Sequence, residues 1–594
     1  MAQIRSHRRD IHTYWHGSIG SRRRRRTSLV TDEKAGMERV TRLEERRGTS
    51  TLSTTLIAAF ALAAVVALIL PLNLPIGPYN WDTLVYYDAI NRIRAGQTPN
   101  VDFFAPVGPL GYYLATLLDS VFPRAQPMLL VNWALLPVLL PSMAMLTGHV
   151  AAYSRGQALA LLLPFLLLAS LPINLQAIYP ISGFDGYGHY NRHVALLLYT
   201  LVATLIFSRD RRLLVGLVAL LMLTLFLVKI TGAVSGVLLV GYAVLVGRLR
   251  VMDAVLAAAL VLVPLGALDL TTGMVGAYID DILTLLRLNG GSLSSRFLMV
   301  ASLNLDVIAP CVLLLGTLAL AGWRERADLS WVRMRSLGAS PPGWLAAVLI
   351  AEILFETQNT GSLEFIGLWP VILLVLVDWQ ARRDWLGLLV LVLCLAVVLP
   401  AVSAFTQRSA RAVLATPFYH TLDLADLGTF GQVNVKAEIA ERAPIMLEHY
   451  ATYQESYRDL TTRGQMPSYI LYSETDYQAT WLLELQQGLV AIRAWEATAG
   501  RRLNGVFTLD FVDPFNRLLG REPARHVPIG VDPARTNPPL TEQTLAALEG
   551  IDAILQPKCP LTVNRTTIAT HFARALQGRR RVALSSCWDM YLKD

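Results

Sequence analysis

Apolar runs long enough to cross a bilayer recur along most of this sequence, and no other feature constrains its fold as much. They lie near residues 52–70, 128–150, 158–173, 192–207, 213–228, 231–246, 251–269, 297–321, 343–356, 364–377 and 385–404. A hydrocarbon core about 30 Å thick takes about 20 apolar residues per helix. The sequence therefore predicts a polytopic α-helical membrane protein with about eleven transmembrane helices, a count that the short late runs leave open by one or two.

Composition and charge agree with this class. Of the 594 residues 54% are hydrophobic and 16% are charged, whereas about 25% of residues are charged in soluble domains. The net charge of +8 comes largely from residues 1–50, which we interpret as a disordered, basic cytoplasmic arm, and from short connectors. Positive charge placed in this way indicates membrane topology, so we expect the lipid bilayer as a partner and no nucleic acid.

Arginines mark every second connector between the predicted spans. They are Arg155, Arg209, Arg211, Arg212, Arg248, Arg250, Arg324, Arg326, Arg333, Arg335, Arg382 and Arg383. The positive-inside rule places these connectors in the cytoplasm, together with the N-terminus. Residues 51–404 then form the transmembrane domain, with outer loops 73–127 and 174–191, and residues 405–594 lie outside.

The C-terminal part has the composition of a globular domain. "PSYILYS", "DAILQPK" and "RVALSSCWDMYL" each predict a strand, and "TDYQATWLLELQQGLVAIRAWEAT" has helical periodicity. We therefore predict an extracytoplasmic α/β domain. Cys559 and Cys587 are its only cysteines, and they form a disulfide if the compartment is oxidising; buried free thiols are the alternative.

Polar residues gather on the predicted outer side. The stretch "NWDTLVYYDAINRIRAGQTPNVDFFAPVGPLGYYL" follows the first span and places Asp82 about a dozen residues after it. The second outer loop contains "GFDGYGHYNRH", Lys229 ends the fifth span, and Glu356 ends a late span four residues after Glu352. Ionisable residues at such depths tend to have partners or functions.

The first outer loop resembles that of the GT-C glycosyltransferases, above all the bacterial branch related to protein O-mannosyltransferases and lipid A aminoarabinose transferases. The likeness lies in an Asp soon after span 1, a surface helix ending in Gly, and a "P-L-x-Y-Y" run before span 2. Asp82 occupies the position of the family's catalytic carboxylate. The usual "D-E" is Asp82-Thr83 here, and "V-G-P-L" replaces "K-P-P-L", so a phosphate contact made by that Lys must come from elsewhere.

The resemblance implies a site with the following roles. Asp82 and Asp185 are the catalytic candidates; the substrate-binding candidates are Lys229, Arg192, His189, Tyr113 and Glu356. Transfer to a hydroxyl needs a general base, and the departing phosphate needs cations or a metal. His189 and His193 alone make a weak metal site, so the metal ligands are unknown, no cofactor is certain, and a divalent ion is left open.

Each candidate residue also has a structural interpretation. Asp82 could cap the surface helix, Asp185 could be a turn residue, Lys229 could extend to the lipid headgroups, and Glu356 could pair with a cation.

The implied function is a hexosyl- or pentosyltransferase of GT-C type in a bacterial cytoplasmic (inner) membrane, serving the cell envelope. It would move a sugar from a polyprenyl-phosphate donor to a hydroxyl of a glycan, lipid or protein acceptor on the outer face. One alternative is a transporter or flippase of a lipid-linked sugar, although paired repeats and broken midplane helices are not evident in the sequence. Another is a non-catalytic envelope assembly protein.

Overall fold

The computed structural model describes residues 52–77, 80–176, 181–290, 293–324, 338–359, 361–466, 477–533 and 535–593. The basic arm of residues 1–50 and the predicted strand "PSYILYS" lie outside the described residues, so their predictions stay untested. The described part is mostly helical. Strands occur only as short pieces there, beside the second helix and in the C-terminal part.

Helices occupy every apolar run predicted from the sequence. In chain order they are α1 (Leu52–Ile69), α2 (Trp81–Arg94), α3 (Leu110–Val121), α4 (Pro127–Trp133), α5 (Leu136–Ala151), α6 (Arg155–Ala169), α7 (His189–Phe207), α8 (Arg211–Val228), α9 (Ile230–Leu245), α10 (Val251–Thr272), α11 (Met274–Asn289), α12 (Leu293–Leu303), α13 (Leu305–Arg324), α14 (Pro341–Glu356), α15 (Trp369–Trp379) and α16 (Trp385–Ala415). Of these, α2, α3 and α11 are not apolar spans but lie between them.

Five described helices, α1, α7, α8, α10 and α16, are long and apolar enough to cross a membrane. Two bent pairs, α4 with α5 (43°) and α12 with α13 (81°), raise this number to seven if each pair is one span. Pro137, at the second position of α5, has no N–H with which to continue the hydrogen bonding of α4. The chain is thus a membrane protein with several apolar helices, while the count of eleven stays a prediction.

The two ends of the helical bundle differ in what they join. At one end β1 (Leu74–Pro75) pairs in parallel with β3 (Val433–Val435), and β2 (His420–Thr421) pairs antiparallel with β3. The first outer loop and the C-terminal part therefore lie on the same side of the bundle. At the opposite end the Arg248 guanidinium donates to carbonyls of α7, and Arg209 lies 3.8 Å over the Tyr153 ring. Which side is cytoplasmic stays a prediction.

The C-terminal part packs helices around a four-stranded sheet. Its helices are α17 (Ala437–Thr452), α18 (Gln454–Thr462), α19 (Tyr477–Ala499), α20 (Phe515–Leu519), α21 (Glu542–Glu549), α22 (Val563–His571) and α23 (Ala573–Leu576). Its strands are β4 (Val506–Thr508), β5 (Ala553–Pro557), β6 (Arg580–Ala583) and β7 (Trp588–Leu592), in the order β4-β5-β7-β6. The β4–β5 pair is parallel and the other two pairs are antiparallel.

Two details differ from the sequence prediction. "RVALSSCWDMYL" forms two strands and a turn instead of one strand, because Leu584 N–H and Ser585 N–H both reach back to the Trp588 carbonyl. The last apolar helix, α16, continues to Ala415 instead of ending near residue 404.

Cys559 and Cys587 are joined in a disulfide with their Cα atoms 5.1 Å apart, and Cys311 and Cys394 are buried thiols.

Candidate active site

Asp82 connects the first outer loop to the second. It is the second residue of α2, whose N-cap is Asn80, so it does not cap its own helix. Its Oδ2 instead accepts the backbone N–H of Gly188, the N-cap of α7, at 2.9 Å. Gly188 has φ +69°, and a Cβ there would collide with the Gly361 carbonyl. Only glycine fits this donor position easily, and it leaves Asp82 fixed against the start of α7.

A chain of hydrogen bonds beside Asp82 fixes the His189 tautomer. An Arg192 Nη2–H group donates to His189 Nδ1 at 2.7 Å, since arginine has no acceptor. His189 Nε2 must then carry the ring hydrogen, which it donates to Thr83 Oγ1 at 3.0 Å. The Thr83 hydroxyl donates onward to the Gly186 carbonyl at 3.0 Å. This chain uses both ring nitrogens of His189, so His189 positions Thr83 in this structure, and its substrate contact stays a prediction.

Arg192 is also an internal residue. Its guanidinium is 2% exposed and donates to Asn132 Oδ1, Asn174 Oδ1 and the Tyr187 carbonyl at 2.7–3.0 Å. These acceptors, together with His189, occupy its donors. In this conformation the Arg192 donors are occupied inside the protein, and its predicted phosphate contact stays a prediction.

Asp185 is held in a buried ion pair. Arg408 of α16 donates to both carboxylate oxygens at 3.0 and 3.1 Å, and Asn174 N–H donates to Oδ2 at 2.8 Å. Burial raises the pKa of Asp185, while Arg408 lowers it. In this structure Asp185 joins the second outer loop to α16, and its role as a second catalytic carboxylate stays a prediction.

Lys229 lies in the turn between α8 and α9, at the same side as Asp82. Its Nζ donates to Asn191 Oδ1 at 2.8 Å and to Asn359 Oδ1, and it lies 4.5 Å over the Tyr190 ring. Asn191 and Tyr190 are in the first turn of α7, next to the glycine that holds Asp82. The lysine is thus positioned by the same helix start as Asp82.

The "V-G-P-L" segment packs against this turn. Gly108 N–H donates to the Val228 carbonyl at 3.0 Å, and a Cβ at Gly108 would collide with the Leu227 carbonyl. Glycine at this position therefore permits the loop before α3 to approach the end of α8. The approach places the first outer loop directly beside Lys229.

Of the paired tyrosines at the start of α3, Tyr112 faces the interior near Asp82. Its ring packs 4.9 Å from that of Tyr86, and it is buried. Tyr113, the predicted substrate contact, is half-buried and hydrogen-bonds Thr98. Because successive side chains on a helix point about 100° apart, the two rings face different surroundings, and the substrate contact of Tyr113 stays a prediction.

Glu356 is buried instead of facing a ligand. Its carboxylate accepts the Ser362 hydroxyl at 2.9 and 3.0 Å, and it lies with Glu352 and Glu364 in one acidic cluster. Burial raises the pKa of Glu364 in the adjoining loop to about 7. The charge of Glu356 acts on Lys229, and the substrate contact of Glu356 stays a prediction.

A segment of the C-terminal part covers the first outer loop, which the sequence did not reveal. Arg525 pairs with Asp102 at 3.0 Å, and Ile529 N–H donates to the Phe104 carbonyl at 3.1 Å. This segment brings Asp532 close enough to Asp82, and Arg535 close enough to Lys229, for their charges to act on those groups.

Burial and neighbouring charges shift the pKa of both central groups. The pKa of Asp82 is raised to about 6, mainly because burial disfavours the carboxylate, although the Gly188 N–H, Arg192 and Lys229 oppose this. The pKa of Lys229 is lowered to about 7, again mainly by burial, with Asp82 and Glu356 opposing and Arg535 and Arg296 assisting. A carboxyl group with a pKa near 6 suits proton transfer near neutral pH.

A three-ligand metal centre does not form around Asp82 within the described residues. Among the described residues, the His, Cys, Asp and Glu side chains that lie close enough together to hold a metal ion are Glu484, Cys559 and Cys587 in the C-terminal part. Both cysteines are in the disulfide, so neither offers a thiolate. The His189–His193 pair does not suit a metal either, because His193 Nε2 contacts the Asn132 carbonyl at 2.9 Å and both nitrogens of His189 are engaged.

No protein-family model and no curated protein matches the chain. Solved structures similar to it include ArnT from Cupriavidus metallidurans in the apo state (TM-score 0.36, 10% identity) and bound to undecaprenyl phosphate (0.35, 12%), each over 91% of this chain and 98% of ArnT. The archaeal oligosaccharyltransferase AglB from Archaeoglobus fulgidus, in complex with an inhibitory peptide and a dolichol-phosphate, is similar over 89% of this chain and 72% of AglB (0.35, 12%). All are GT-C superfamily members. With TM-scores below 0.5, these likenesses carry no argument about this chain.

Proposed function

We propose that the chain is a GT-C-type glycosyltransferase. It transfers a sugar from a polyprenyl-phosphate donor to an acceptor hydroxyl at the outer face of a bacterial cytoplasmic membrane. The observation that carries this proposal is that a partly buried carboxylate, Asp82, and a partly buried lysine, Lys229, lie close enough at one edge of the apolar bundle for their charges to act on each other. Transfer of a glycosyl group from a phosphate by general-base catalysis needs an anionic group near the acceptor hydroxyl and a cationic group near the departing phosphate.

Asp82 is suited to accept a proton. One carboxylate oxygen holds the Gly188 N–H, and the other has no hydrogen-bond partner among the residues that the structure describes. With a pKa of about 6, the group is mostly ionised at pH 7 and still basic enough to take a hydroxyl proton as that oxygen attacks.

The reaction has one displacement step. The acceptor oxygen bonds to the anomeric carbon while the bond from that carbon to the phosphate oxygen breaks. The acceptor proton passes to Asp82, and the bonding electrons leave with the lipid phosphate, whose negative charge rises. Inversion at the anomeric carbon follows from attack opposite the leaving group.

In this proposal the departing phosphate is held by cations beside Asp82. Lys229 is the first of these, and Arg535 and Arg296 lie close enough for their charges to act on it. An anion among these cations favours the ammonium form of Lys229 and raises its pKa again. Asn191 and Asn359 orient the ammonium group, so a phosphate does not have to order it on arrival.

A donor assay tests the proposal. Purified full-length protein is given a panel of polyprenyl-phosphate sugars, and both released lipid phosphate and acceptor-linked sugar are measured. We expect one donor to give stoichiometric release and transfer. Movement of intact donor across a vesicle membrane without release would favour the flippase, and neither movement nor release with any donor would favour a non-catalytic assembly protein.

A further inference from the structure

A basic pocket of about 500 Å³ opens at the end of α19, away from Asp82. The charged residues in its wall are Arg493, Arg501, Arg502, Arg521 and Glu496. Arg493 and Arg501 also pair with Asp426 and Asp552 outside the pocket. Even when these acidic partners are counted with Glu496, one positive charge remains in excess, so the pocket attracts anions.

Arg521 points to a ligand more strongly than the net charge does. Its side chain is 6% exposed, and Nη2 donates to both oxygens of Glu496 at 2.8 and 2.9 Å. Its Nε and Nη1 are buried and have no acceptor among the described residues. Charged donors buried without acceptors are costly to a fold. Their retention beside a pocket is explained if a ligand that enters it shifts the side chains covering these two donors and supplies the acceptors.

The geometry of these two donors selects among anions. Nε and Nη1 lie on different edges of the guanidinium, so one small ion does not reach both. A ring that carries a carboxylate and several hydroxyl oxygens presents acceptors in more than one direction. Arg502, exposed at the rim, adds a cation that no acidic residue in the wall neutralises.

The pocket lies on the same side of the molecule as the candidate active site. The Arg521 carbonyl accepts a hydrogen bond from Asn91 of α2 at 3.2 Å. Asn91 is nine residues beyond Asp82 on that helix, a distance of about 14 Å along its axis at 1.5 Å per residue. A chain of sugars is thus able to extend from one location to the other.

We propose that this pocket binds an acidic sugar unit, a carboxylate-bearing ring within a glycan. Its use as an acceptor subsite rests on the proposed function, but the binding does not. The two are separable because binding is measured without donor and without turnover.

The test uses full-length protein in lipid nanodiscs and isothermal titration with digalacturonate, lactose and inorganic phosphate. We expect saturable binding of digalacturonate that weakens with salt, since the contact is ionic, and no saturable binding of lactose. Arg521→Lys keeps a charge for Glu496 but loses the other donors, and it should weaken binding about tenfold or more, as expected for a lost charge-assisted hydrogen bond. Arg502→Gln, at the exposed rim, should also weaken it without affecting folding.

The matched control is Arg463→Gln, which removes an exposed arginine that directly follows α18 and should leave affinity unchanged. Three results would overturn the proposal: no saturable binding of digalacturonate by the wild type, equal affinity for lactose or phosphate, or unchanged affinity in both pocket variants. If the wild-type protein binds digalacturonate but transfers no sugar from any donor, the proposed glycosyltransferase activity is contradicted and the binding site is not.

Discussion

Asp82→Asn separates catalysis from structure at the centre of the site. Asparagine has the same shape, and its Oδ1 still accepts the Gly188 N–H that Asp82 accepts now. It is unable to take a proton from an acceptor hydroxyl. General-base catalysis typically contributes about 10²–10⁴-fold, so turnover should fall by that factor. Wild-type turnover should also rise with pH up to about 6, the raised pKa of Asp82, and level above it, whereas the variant should lack this rise.

The same substitution should stabilise the protein at neutral pH. The pKa of Asp82 is raised from 3.8 to about 6, and this interval corresponds to about 3 kcal/mol at about 1.4 kcal/mol per pH unit. The folded state keeps a proton that the unfolded chain has lost, so this contribution is full below pH 3.8 and is lost as the pH rises through about 6. A neutral asparagine has no such loss. Between pH 3.8 and pH 7, the free energy of unfolding of the variant should therefore rise above that of the wild type by up to about 3 kcal/mol.

The assay pairs turnover from pH 5 to 8 with thermal unfolding at pH 4 and pH 7.5. Asp459→Asn is the matched control, because Asp459 is exposed and, among the described residues, pairs with Arg463 at the end of α18; it should change neither readout. Near-normal sugar transfer by a folded Asp82→Asn protein would remove Asp82 from the chemistry. A stability difference that is the same at both pH values would show that the carboxyl group is not perturbed by burial.

Three further predictions follow from other parts of the chain. Lys229→Met should lower kcat/KM for the donor about 10- to 100-fold, as expected for a lost charge-assisted hydrogen bond, with Lys229→Arg rescuing only partly; the exposed Lys436→Met should have no effect, and an equal effect would exclude a phosphate role. Thiol alkylation with and without reductant, read by mass spectrometry, should label Cys559 and Cys587 only after reduction; their closure of a 28-residue separation adds about 3–4 kcal/mol in the chain-entropy model, and equal labelling would mean free thiols. A phosphatase fused after residue 594 should be active, and activity of a cytoplasmic reporter alone at that point would reverse the topology.

The helices were predictable because their signal is local. A run of apolar residues of bilayer length has few alternatives in lipid, where every backbone polar group needs an internal partner. The strands of the C-terminal part were harder, since "RVALSSCWDMYL" contains its turn within one apolar pattern. The end of α16 was missed for a related reason: the helix leaves the apolar run yet continues to Ala415, which allows Arg408 to reach Asp185.

The site was predictable only in part, because the contacts that define it are distant in sequence. Asp82 and Lys229 came from position relative to the spans, and the structure brings them together. Arg535 could not be predicted in this way, because nothing in the local sequence marks a segment that returns to the first outer loop more than 400 residues later. Helical spacing in "HYNRH" does separate these side chains. It places His189 and Arg192 on one face of the helix and Tyr190, which lies under Lys229, on another.

The cationic side chains of the predicted outer side fall into two groups, which differ in the partners that their hydrogen-bond donors have. Arg192 and Arg408 are committed to carbonyls, amides and Asp185 inside the protein, and together they hold the second outer loop against α7 and α16. Because that loop carries the Gly188 N–H that fixes Asp82, these arginines orient the carboxylate without touching a substrate. Lys229 is held by neutral asparagines and an aromatic ring instead, so its charge is not cancelled by a bonded carboxylate. Because burial lowers the pKa of Lys229 to about 7, an anion that enters beside Asp82 would favour protonation of Lys229, while the buried arginines keep the Asp82 carboxylate in place.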